Sequence, residues 1–340
     1  MFKMKIITRA AIKRLTILGG IFFVFLVYSY FTMIKMPGKS YSGQIEPLND
    51  VQNILKQELI KDVKVLADEI GERSLWHDKK LALAADYIDK NFTDAGYAVQ
   101  RQIFTVEEKN CCNIIAEHKG SKNPEEIVII GAHYDSAYGT AGANDNATGV
   151  AAMLALSRKF SSLESSKTLR FVAFVNEEPP YYHTEKMGSM VYAKSCREKN
   201  ENVIAMISLE TIGYYSNEPD SQKYPFPFNL IYPSEGNFVA FISNTGVSRR
   251  LLTKGIKLFR ENCNFPSEGG AIPQFVPGAG WSDHWSFWQY DYPAIMITDT
   301  AYFRYQYYHS PSDTFDKIDY DSMAKVVSGI EMIIRSIIQN

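Results

Sequence analysis

Three apolar runs typical of buried strands each end in side chains that can bind a metal ion or move a proton. The runs cover residues 127–130, 168–175 and 203–211. The polar side chains at their ends are His133 and Asp135, then Glu177 and Glu178, then Glu210. Open α/β sheets collect ligands and catalytic groups in the crevice outside the carboxyl ends of their strands. The spacing therefore predicts that these side chains converge on one site.

Two further candidate ligands lie in loops. Asp145 stands in an Asn-rich turn just before the predicted helix 147–160, where an ordinary N-cap is the alternative interpretation. His309 follows the predicted strand 294–298 on a loop rich in tyrosine, where an aromatic surface loop is the alternative. An N-cap at Asp145 would leave the nearby His133 unexplained, which favours a metal site.

Together these positions supply two imidazoles and three carboxylates. The candidate metal ligands are His133, Asp145, Glu178, Glu210 and His309. Catalytic zinc sites use such ligands and keep one position open for water. Two zinc ions, each with one His and one terminal carboxylate and sharing an Asp and a hydroxide, would use all five. Glu177 is then free to act as general base, and Asp135 could fix the tautomer of the His133 imidazole.

The amino terminus indicates a membrane anchor. Basic residues precede an uncharged run at residues 15–34, which at helical rise covers about 30 Å, the thickness of the hydrocarbon core. The run is longer than a signal-peptide core and has no Ala-x-Ala-like cleavage site. We expect residues 1–14 to be cytoplasmic, 15–34 to be a single-pass transmembrane anchor and 35–48 to be a tether. Residues 49–340 would form one catalytic domain outside the cytoplasm, periplasmic or extracellular.

Strands and helices alternate beyond the tether, which indicates a mainly parallel sheet with helices on both faces. Helical spacing of apolar residues predicts a closing helix at 319–338. Before it, we predict a strand at 228–232, a helix from 237 towards 259 and a long loop at 264–280. A net charge of −2 argues against a nucleic-acid partner.

Six motifs, in this order, resemble those of the dizinc aminopeptidases, the co-catalytic zinc exopeptidases that include bacterial leucyl aminopeptidase, aminopeptidase S and the catalytic domain of glutamate carboxypeptidase II. The motifs are HYDS at His133, NDNATGV around Asp145, NEEPP at Glu177, SLETIG around Glu210, SDH at Ser282 and YHSPSDT around His309. The ordered set is far more specific than any single motif. The resemblance implies a single three-layer α/β/α domain with a mixed, mainly parallel central sheet.

The resemblance also implies roles for individual residues. The implied zinc ligands are His133 and Glu210 for one ion, Glu178 and His309 for the other, and Asp145 as the bridge. Glu177 would activate the attacking water. Asp283 and His284 lie in a stretch that resembles the rim of the family's active site, where a contact with substrate or ligands and simple packing are the two alternatives. Tyr308, in the aromatic run before His309, is a further residue expected to support the ligands or contact the substrate. The sequence departs from the family at Glu210, where Asp is usual, and the longer side chain could alter occupancy of that zinc position.

The resulting hypothesis is a membrane-anchored zinc exopeptidase that removes N-terminal residues from peptides, with two zinc ions expected and one as the alternative. The runner-up is a glutaminyl cyclase of the animal type, a class that is similar in fold and motifs. Those enzymes hold one zinc ion through an Asp, a Glu and a His, and they cyclise their substrate. A third alternative is a non-catalytic binding ectodomain, as in the transferrin receptor, which lacks the metal ligands. Retention of all five ligands and of Glu177 favours the peptidase. A carboxypeptidase would need an Arg near the pocket, and Arg304 is the only candidate in the aromatic loop.

Overall fold

The computed structural model describes residues 8–339, which form two compact units that meet in sequence between Lys35 and Met36. Residues 1–7, which belong to the expected cytoplasmic segment, lie outside the described residues.

In the first unit, the described residues form one continuous helical segment from Arg9 to Ile34. Helix α1 (Arg9–Ser29) begins after Thr8, whose side chain accepts a hydrogen bond from the amide of Ala11, and it continues as a π-helical turn, Tyr30–Ile34. Within the 26 residues from Arg9 to Ile34, an 18-residue window has a mean hydropathy of 2.1, and none of the 26 is buried. A helix of this length and composition can cross a membrane, and it is compatible with either an anchor or a signal sequence.

The second unit is built on one mixed sheet of eight strands in the order β1-β2-β4-β3-β5-β8-β6-β7. The strands are β1 (Val99–Val106), β2 (Lys109–His118), β3 (Asn123–His133), β4 (Lys167–Phe174), β5 (Asn202–Glu210), β6 (Val239–Ser243), β7 (Ser267–Ala271) and β8 (Ala294–Thr298). The central strands β4, β3, β5 and β8 are parallel, whereas β1, β2 and β6 introduce antiparallel pairs. The expected mixed, mainly parallel sheet is therefore confirmed.

Helices cover both faces of the sheet. Beyond α1 they are α2 (Asp50–Lys64), α3 (Asp78–Asp94), α4 (Thr148–Phe160), α5 (Gly188–Glu198), α6 (Arg249–Asn262), α7 (His284–Trp288), α8 (Ala301–Arg304) and α9 (Tyr320–Gln339). The apolar faces of α2, α3, α4, α6 and α9 share one core with the sheet. Helices α5 and α7 enclose a smaller core on the other face. Burial of these apolar side chains is the main force that holds the three layers together.

The chain just after the first unit is packed against the second unit's own edge strand. Met36 is 9% exposed and Pro37 accepts a hydrogen bond from the guanidinium of Arg260. The hydroxyl of Ser40 accepts a hydrogen bond from the amide of Ser267 at the start of β7. Within the expected tether 35–48, the residues from Met36 to Ser40 are thus held by contacts with α6 and β7.

Most of the predicted strands and helices are confirmed, but three predictions from the later part of the chain are wrong. Residues 228–232 do not form a strand and contain a short 3-10 helix, Phe228–Leu230. The single helix predicted from 237 is divided into β6 and α6, because its first apolar residues pair with β8. The predicted loop 264–280 contains β7, whose Gly-rich sequence concealed a strand that pairs in parallel with β6.

The parallel register brings three predicted site segments to one edge of the sheet. His133, the last residue of β3, lies opposite Phe174, the last residue of β4. Gly131 pairs with Ser208 on β5, which ends at Glu210. The chain therefore leaves β3, β4 and β5 next to one another, with their polar residues at a common edge.

Candidate metal centre

One ligand group forms around the imidazole of His133. Its Nε2 atom lies 3.3 Å from Oδ1 of Asp145 and 3.3 Å from Oε2 of Glu210. All three side chains are buried, and their ligand atoms lie within 4.8 Å of one another. The end of β3, the turn before α4 and the end of β5 each contribute one ligand.

A second group adjoins the first. Nε2 of His309 lies 3.0 Å from Oδ2 of Asp145 and 3.2 Å from Oε2 of Glu178. Its ligand atoms also lie within 4.8 Å of one another. Asp145 thus belongs to both groups and presents one carboxylate oxygen to each imidazole. All five residues expected as ligands come together.

The donor atoms fit a metal ion better than they fit one another. Among the buried side-chain atoms of residues 8–339, those without a hydrogen-bond partner include Nε2 of His133, Oδ2 of Asp145 and Oε1 of Glu178. Buried polar atoms are rarely left without a partner in proteins, since desolvation without compensation costs about 1–3 kcal/mol each. Imidazole nitrogen and carboxylate oxygen are the donors that zinc takes in catalytic sites.

The charges of the cluster also favour a bound cation. In the absence of one, burial and then the Asp145 carboxylate raise the pKa of Glu178 to about 7. Burial opposes a charged His309, but Asp145 and Glu178 outweigh it and raise the pKa of the imidazole to about 11. Burial raises the pKa of Glu210 in the same way. Carboxylates crowded in a buried space retain protons unless positive charge is supplied.

Asp313 holds in place the turn that carries Asp145. The carboxylate of Asp313 accepts hydrogen bonds from the amides of Asn144 (2.8 Å) and Asp145 (3.1 Å). Tyr305 donates its hydroxyl to the same carboxylate at 2.8 Å. The peptide bond between Asp145 and Asn146 is cis. Asp313 lies within the YHSPSDT motif, so its sequence signal was present although no role was assigned to it.

Glu210 is held by a second residue without an assigned role. The hydroxyl of Ser282 donates to Oε2 of Glu210 at 2.7 Å, and the side-chain Nδ2 of Asn146 lies 3.5 Å from the same oxygen. Ser282 belongs to the SDH motif before α7. Its hydrogen bond fixes one oxygen of the glutamate that replaces the usual aspartate.

Asp135 acts on the neighbouring glutamates through its carboxylate. Its two oxygens accept hydrogen bonds from the amides of Glu177 and Glu178, each at 3.1 Å. The Nδ1 atom of His133 lies 3.2 Å from the backbone carbonyl of Asp135 and 3.6 Å from its carboxylate. The backbone carbonyl, more than the carboxylate, therefore fixes the His133 tautomer, whereas the carboxylate orients the loop after β4.

Glu177 faces the cluster and, together with His133 and Glu178, forms a third group of possible ligand atoms that lie within 4.8 Å of one another. Its Oε2 atom lies 3.9 Å from Nε2 of His133, and the side chain is 7% exposed. Burial raises the pKa of Glu177 well above its usual value, and Glu178 and Glu210 add to the rise. The raised pKa makes this carboxylate a stronger base than a glutamate in water.

The three residues expected beside the ligands have different surroundings. Tyr308 stacks on the imidazole of His309 with ring centres 3.9 Å apart. Asp283 is fully buried and its two oxygens have no hydrogen-bond partner within residues 8–339. His284 points elsewhere: its Nε2 pairs with the carbonyl of Ala279, and its ring packs against Trp288. Of the three, Tyr308 makes direct contact with an expected ligand.

An apolar pocket opens beside the metal centre. Its cavity volume is about 120 Å³, and Glu210 and Tyr308 contribute to its wall. The rest of the lining is mainly apolar and comes from β6, β7, β8 and the loops around them, including Ala240, Ile242, Phe228, Ile272, Met296 and Phe303. A pocket of this kind can receive an apolar group of a substrate held at the metal centre.

A mixed α/β/α sheet with adjoining His and carboxylate groups at its strand ends defines a metal-dependent hydrolase. Comparison with known proteins agrees. The profile of Peptidase family M28 matches residues 113–334. The uncharacterized protein YfbL of Escherichia coli is 37% identical over 284 residues, covering 81% of this chain and 86% of that protein. A probable zinc metalloprotease of Pyrenophora tritici-repentis is 35% identical over 159 residues, which are 42% of this chain and 35% of that protein.

Solved structures show the same fold. BSAP, a zinc aminopeptidase from Bacillus subtilis, superposes with a TM-score of 0.69 at 15% identity, covering 84% of this chain and 95% of that one. The glutaminyl cyclase of Fimbriiglobus ruber superposes with a TM-score of 0.62 at 20% identity, covering 88% and 98%. The chain belongs to Peptidase family M28 and is a zinc metallopeptidase. The resemblance to the dizinc aminopeptidases is thereby confirmed at the level of the family.

We expect removal of zinc to destabilise the protein more strongly as the pH rises from about 5.5 to about 8.5. Glu178, with a pKa raised from 4.5 to about 7, contributes stability that is fully present below pH 4.5 and is lost as the pH rises through about 7. The contribution of His309 is likewise lost between pH 6.5 and about 11. Melting temperatures of the full chain, measured with zinc and after chelation across this pH range, test the prediction.

A Glu178→Gln variant provides the control, since glutamine does not ionise. Its stripped form should lose less stability with rising pH than the stripped wild type. A difference in melting temperature between loaded and stripped wild type that stays constant with pH would contradict the electrostatic account of the cluster.

Proposed function

We propose that this protein is a membrane-anchored aminopeptidase with two zinc ions, held by His133 and Glu210 and by Glu178 and His309, with Asp145 shared. The observation that carries the proposal is the shared Asp145 carboxylate, whose two oxygens face two different imidazoles at 3.3 and 3.0 Å. When bound, zinc supplies Lewis acidity toward a substrate carbonyl and toward water.

Glu177 is the general base of the proposed reaction. It is the first member of a Glu-Glu pair, and its backbone is held by Asp135 while its carboxylate stays out of the hydrogen bonds that fix the ligands. The side chain takes a proton from the attacking water and passes it to the amine that leaves. Its place beside the cluster, with Oε2 3.9 Å from Nε2 of His133, suits a group that accepts and returns a proton there.

Tyr308 is suited to stabilise the developing oxyanion. Burial raises the pKa of its hydroxyl well above the usual value, and the carboxylates of Asp145 and Glu178 add to the rise. The hydroxyl therefore stays protonated and can donate a hydrogen bond. A donor aimed at developing negative charge in a buried site contributes strongly to acyl-transfer reactions.

The pocket supports an aminopeptidase with a preference for apolar N-terminal residues. Its lining is apolar, so a substrate side chain of that kind would gain from burial there. Arg304, considered above as a carboxylate-binding residue, is 8% exposed, and its guanidinium donates to Gln222 and to the carbonyl of Phe238. Because Arg304 is buried and makes these hydrogen bonds within the fold, it is poorly placed to bind the carboxylate of a substrate. This argues against carboxypeptidase specificity.

The apolar helix Arg9–Ile34 supports anchoring to the membrane. With basic residues on its amino-terminal side, the proposed orientation leaves that end in the cytoplasm and the peptidase outside it. The substrates would then be peptides that reach the outer face of the membrane.

Glutaminyl cyclisation is the second candidate function, because the Asp145, Glu178 and His309 group alone is the one-zinc set expected of the cyclases. Zinc content of the purified full chain, measured together with products, separates the two. Two zinc ions and release of free amino acids from aminoacyl-p-nitroanilides support the aminopeptidase. One zinc ion and formation of pyroglutamate from glutaminyl peptides would overturn it.

Glu177→Gln should lower kcat by about 10²- to 10⁴-fold, the usual contribution of a general base. The change keeps the size of the side chain and removes its proton-accepting carboxylate, so zinc content should be unchanged. Steady-state kinetics and metal analysis of the same preparation measure both quantities. Glu185→Gln, an exposed change eight residues further along, should leave both unchanged. A Glu177→Gln enzyme that retains wild-type turnover would refute the assigned role.

Ala240→Phe should fill part of the apolar pocket and narrow the range of substrates. We expect kcat/KM for leucyl- and phenylalanyl-p-nitroanilide to fall by about 10- to 200-fold, and that for alanyl-p-nitroanilide to change little. Ala240→Ser, which barely changes the volume, should keep the wild-type preference. An equal loss for all three substrates would show that the pocket does not receive the N-terminal side chain.

A further inference from the structure

Arg73 is a fully buried arginine that precedes α3 and lies outside the segment matched by the family profile. Its guanidinium makes no direct ion pair with a carboxylate in the part of the chain that the structure describes. Instead, all its hydrogen bonds reach backbone carbonyls. The acceptors are Tyr134 (2.8 Å), Leu66 (2.9 Å), Gly71 (2.9 Å), Ala141 (2.6 Å) and Gly142 (2.9 Å).

One set of contacts leads from Arg73 to the general base. Tyr134, whose carbonyl accepts from Nε, lies between His133 and Asp135 in the sequence. The backbone of Arg73 pairs with Ser136 as well, donating to its hydroxyl and accepting from its amide, each at 3.0 Å. The Asp135 carboxylate between these two anchored residues holds the amide of Glu177. A shift of the 134–136 segment would therefore move the base.

A second set of contacts leads from Arg73 to the shared ligand. The Ala141 and Gly142 carbonyls lie on the turn that ends at Asp145. Gly142 has a φ of 59°, and a Cβ atom added there would lie 2.3 Å from the carbonyl oxygen of Asp145 and 3.0 Å from Nη2 of Arg73. The turn is therefore packed directly against the guanidinium, with no room to adjust independently.

Arg73 also contributes positive charge without competing for the ligands. Burial lowers the pKa of its guanidinium to about 10, while Asp313, Asp135 and Asp145 oppose this shift. The group remains charged at neutral pH. A guanidinium offers five donors in a rigid planar fork, whereas a lysine offers a single flexible point charge. The three donors of a lysine could not serve all five carbonyls, whereas the guanidinium holds them in a fixed plane.

We propose that Arg73 is a positioning residue of the metal centre, which sets Asp145 through the 141–142 carbonyls and Glu177 through the 134–136 segment. The proposal rests on the metal centre described above and not on which reaction it catalyses. Loss of Arg73 should weaken zinc binding and lower kcat, with little change in KM, because Arg73 does not line the pocket.

The test uses the full chain in detergent, with zinc affinity measured by competition with a chromophoric chelator. Arg73→Gln should weaken zinc binding by about 10- to 100-fold, the usual effect of removing a residue that supports metal ligands. Arg73→Lys keeps the charge and should recover part of that loss. Because affinity is measured without substrate, the result is independent of whether the enzyme is a peptidase or a cyclase.

Arg158→Gln serves as the matched control, since Arg158 is a partly buried arginine whose partners Glu58, Asp62 and Asn91 lie on α2 and α3. It should lower the melting temperature and leave zinc affinity unchanged. Wild-type zinc affinity and kcat in folded Arg73→Gln would overturn the proposal. So would failure of both Arg73 variants to fold, which would make Arg73 a residue needed for folding in general.

Discussion

The site depends on one carboxylate that two imidazoles share. Asp145 presents separate oxygens to His133 and His309, and these two histidines come from segments far apart in the chain. Such an arrangement is costly unless positive charge is supplied, because the carboxylates of Glu178 and Glu210 crowd the same buried space. The same crowding that would destabilise the cluster on its own makes it a strong site for a divalent cation.

Several hydrogen bonds are needed to hold that cluster in place against repulsion. Asp313 fixes the turn that carries Asp145, Ser282 holds one oxygen of Glu210, and the Asp135 carboxylate orients the loop with both adjacent glutamates. Asp313 and Asp135 act on backbone amides and leave the carboxylates of the ligands free, whereas Ser282 donates to Oε2 of Glu210, the oxygen that also faces His133. The parallel strands underneath supply a rigid base, since β3, β4 and β5 end beside one another.

The apolar pocket and the metal centre share a wall. Glu210 and Tyr308 face both, so a side chain bound in the pocket would place the adjoining backbone near the ligands. This pocket is built by β6, β7 and the loops before and after them, where sequence-based prediction was weakest. Strand β7 carries two adjacent glycines and pairs on one side only with β6, so its short sequence has little of the apolar alternation that indicates a strand.

The sequence by itself determined the family, the central strands and the set of ligand types, because apolar β-branched runs and the polar residues that end them are local signals. It did not reveal Asp313 or Ser282 as supports, nor Arg73, whose partners lie up to 69 residues away. The departure at Glu210 was visible, but whether its longer side chain reaches His133 depended on the register of β3 and β5. Contacts between segments distant in the chain arise only when the sheet closes, and only the tertiary structure could decide them.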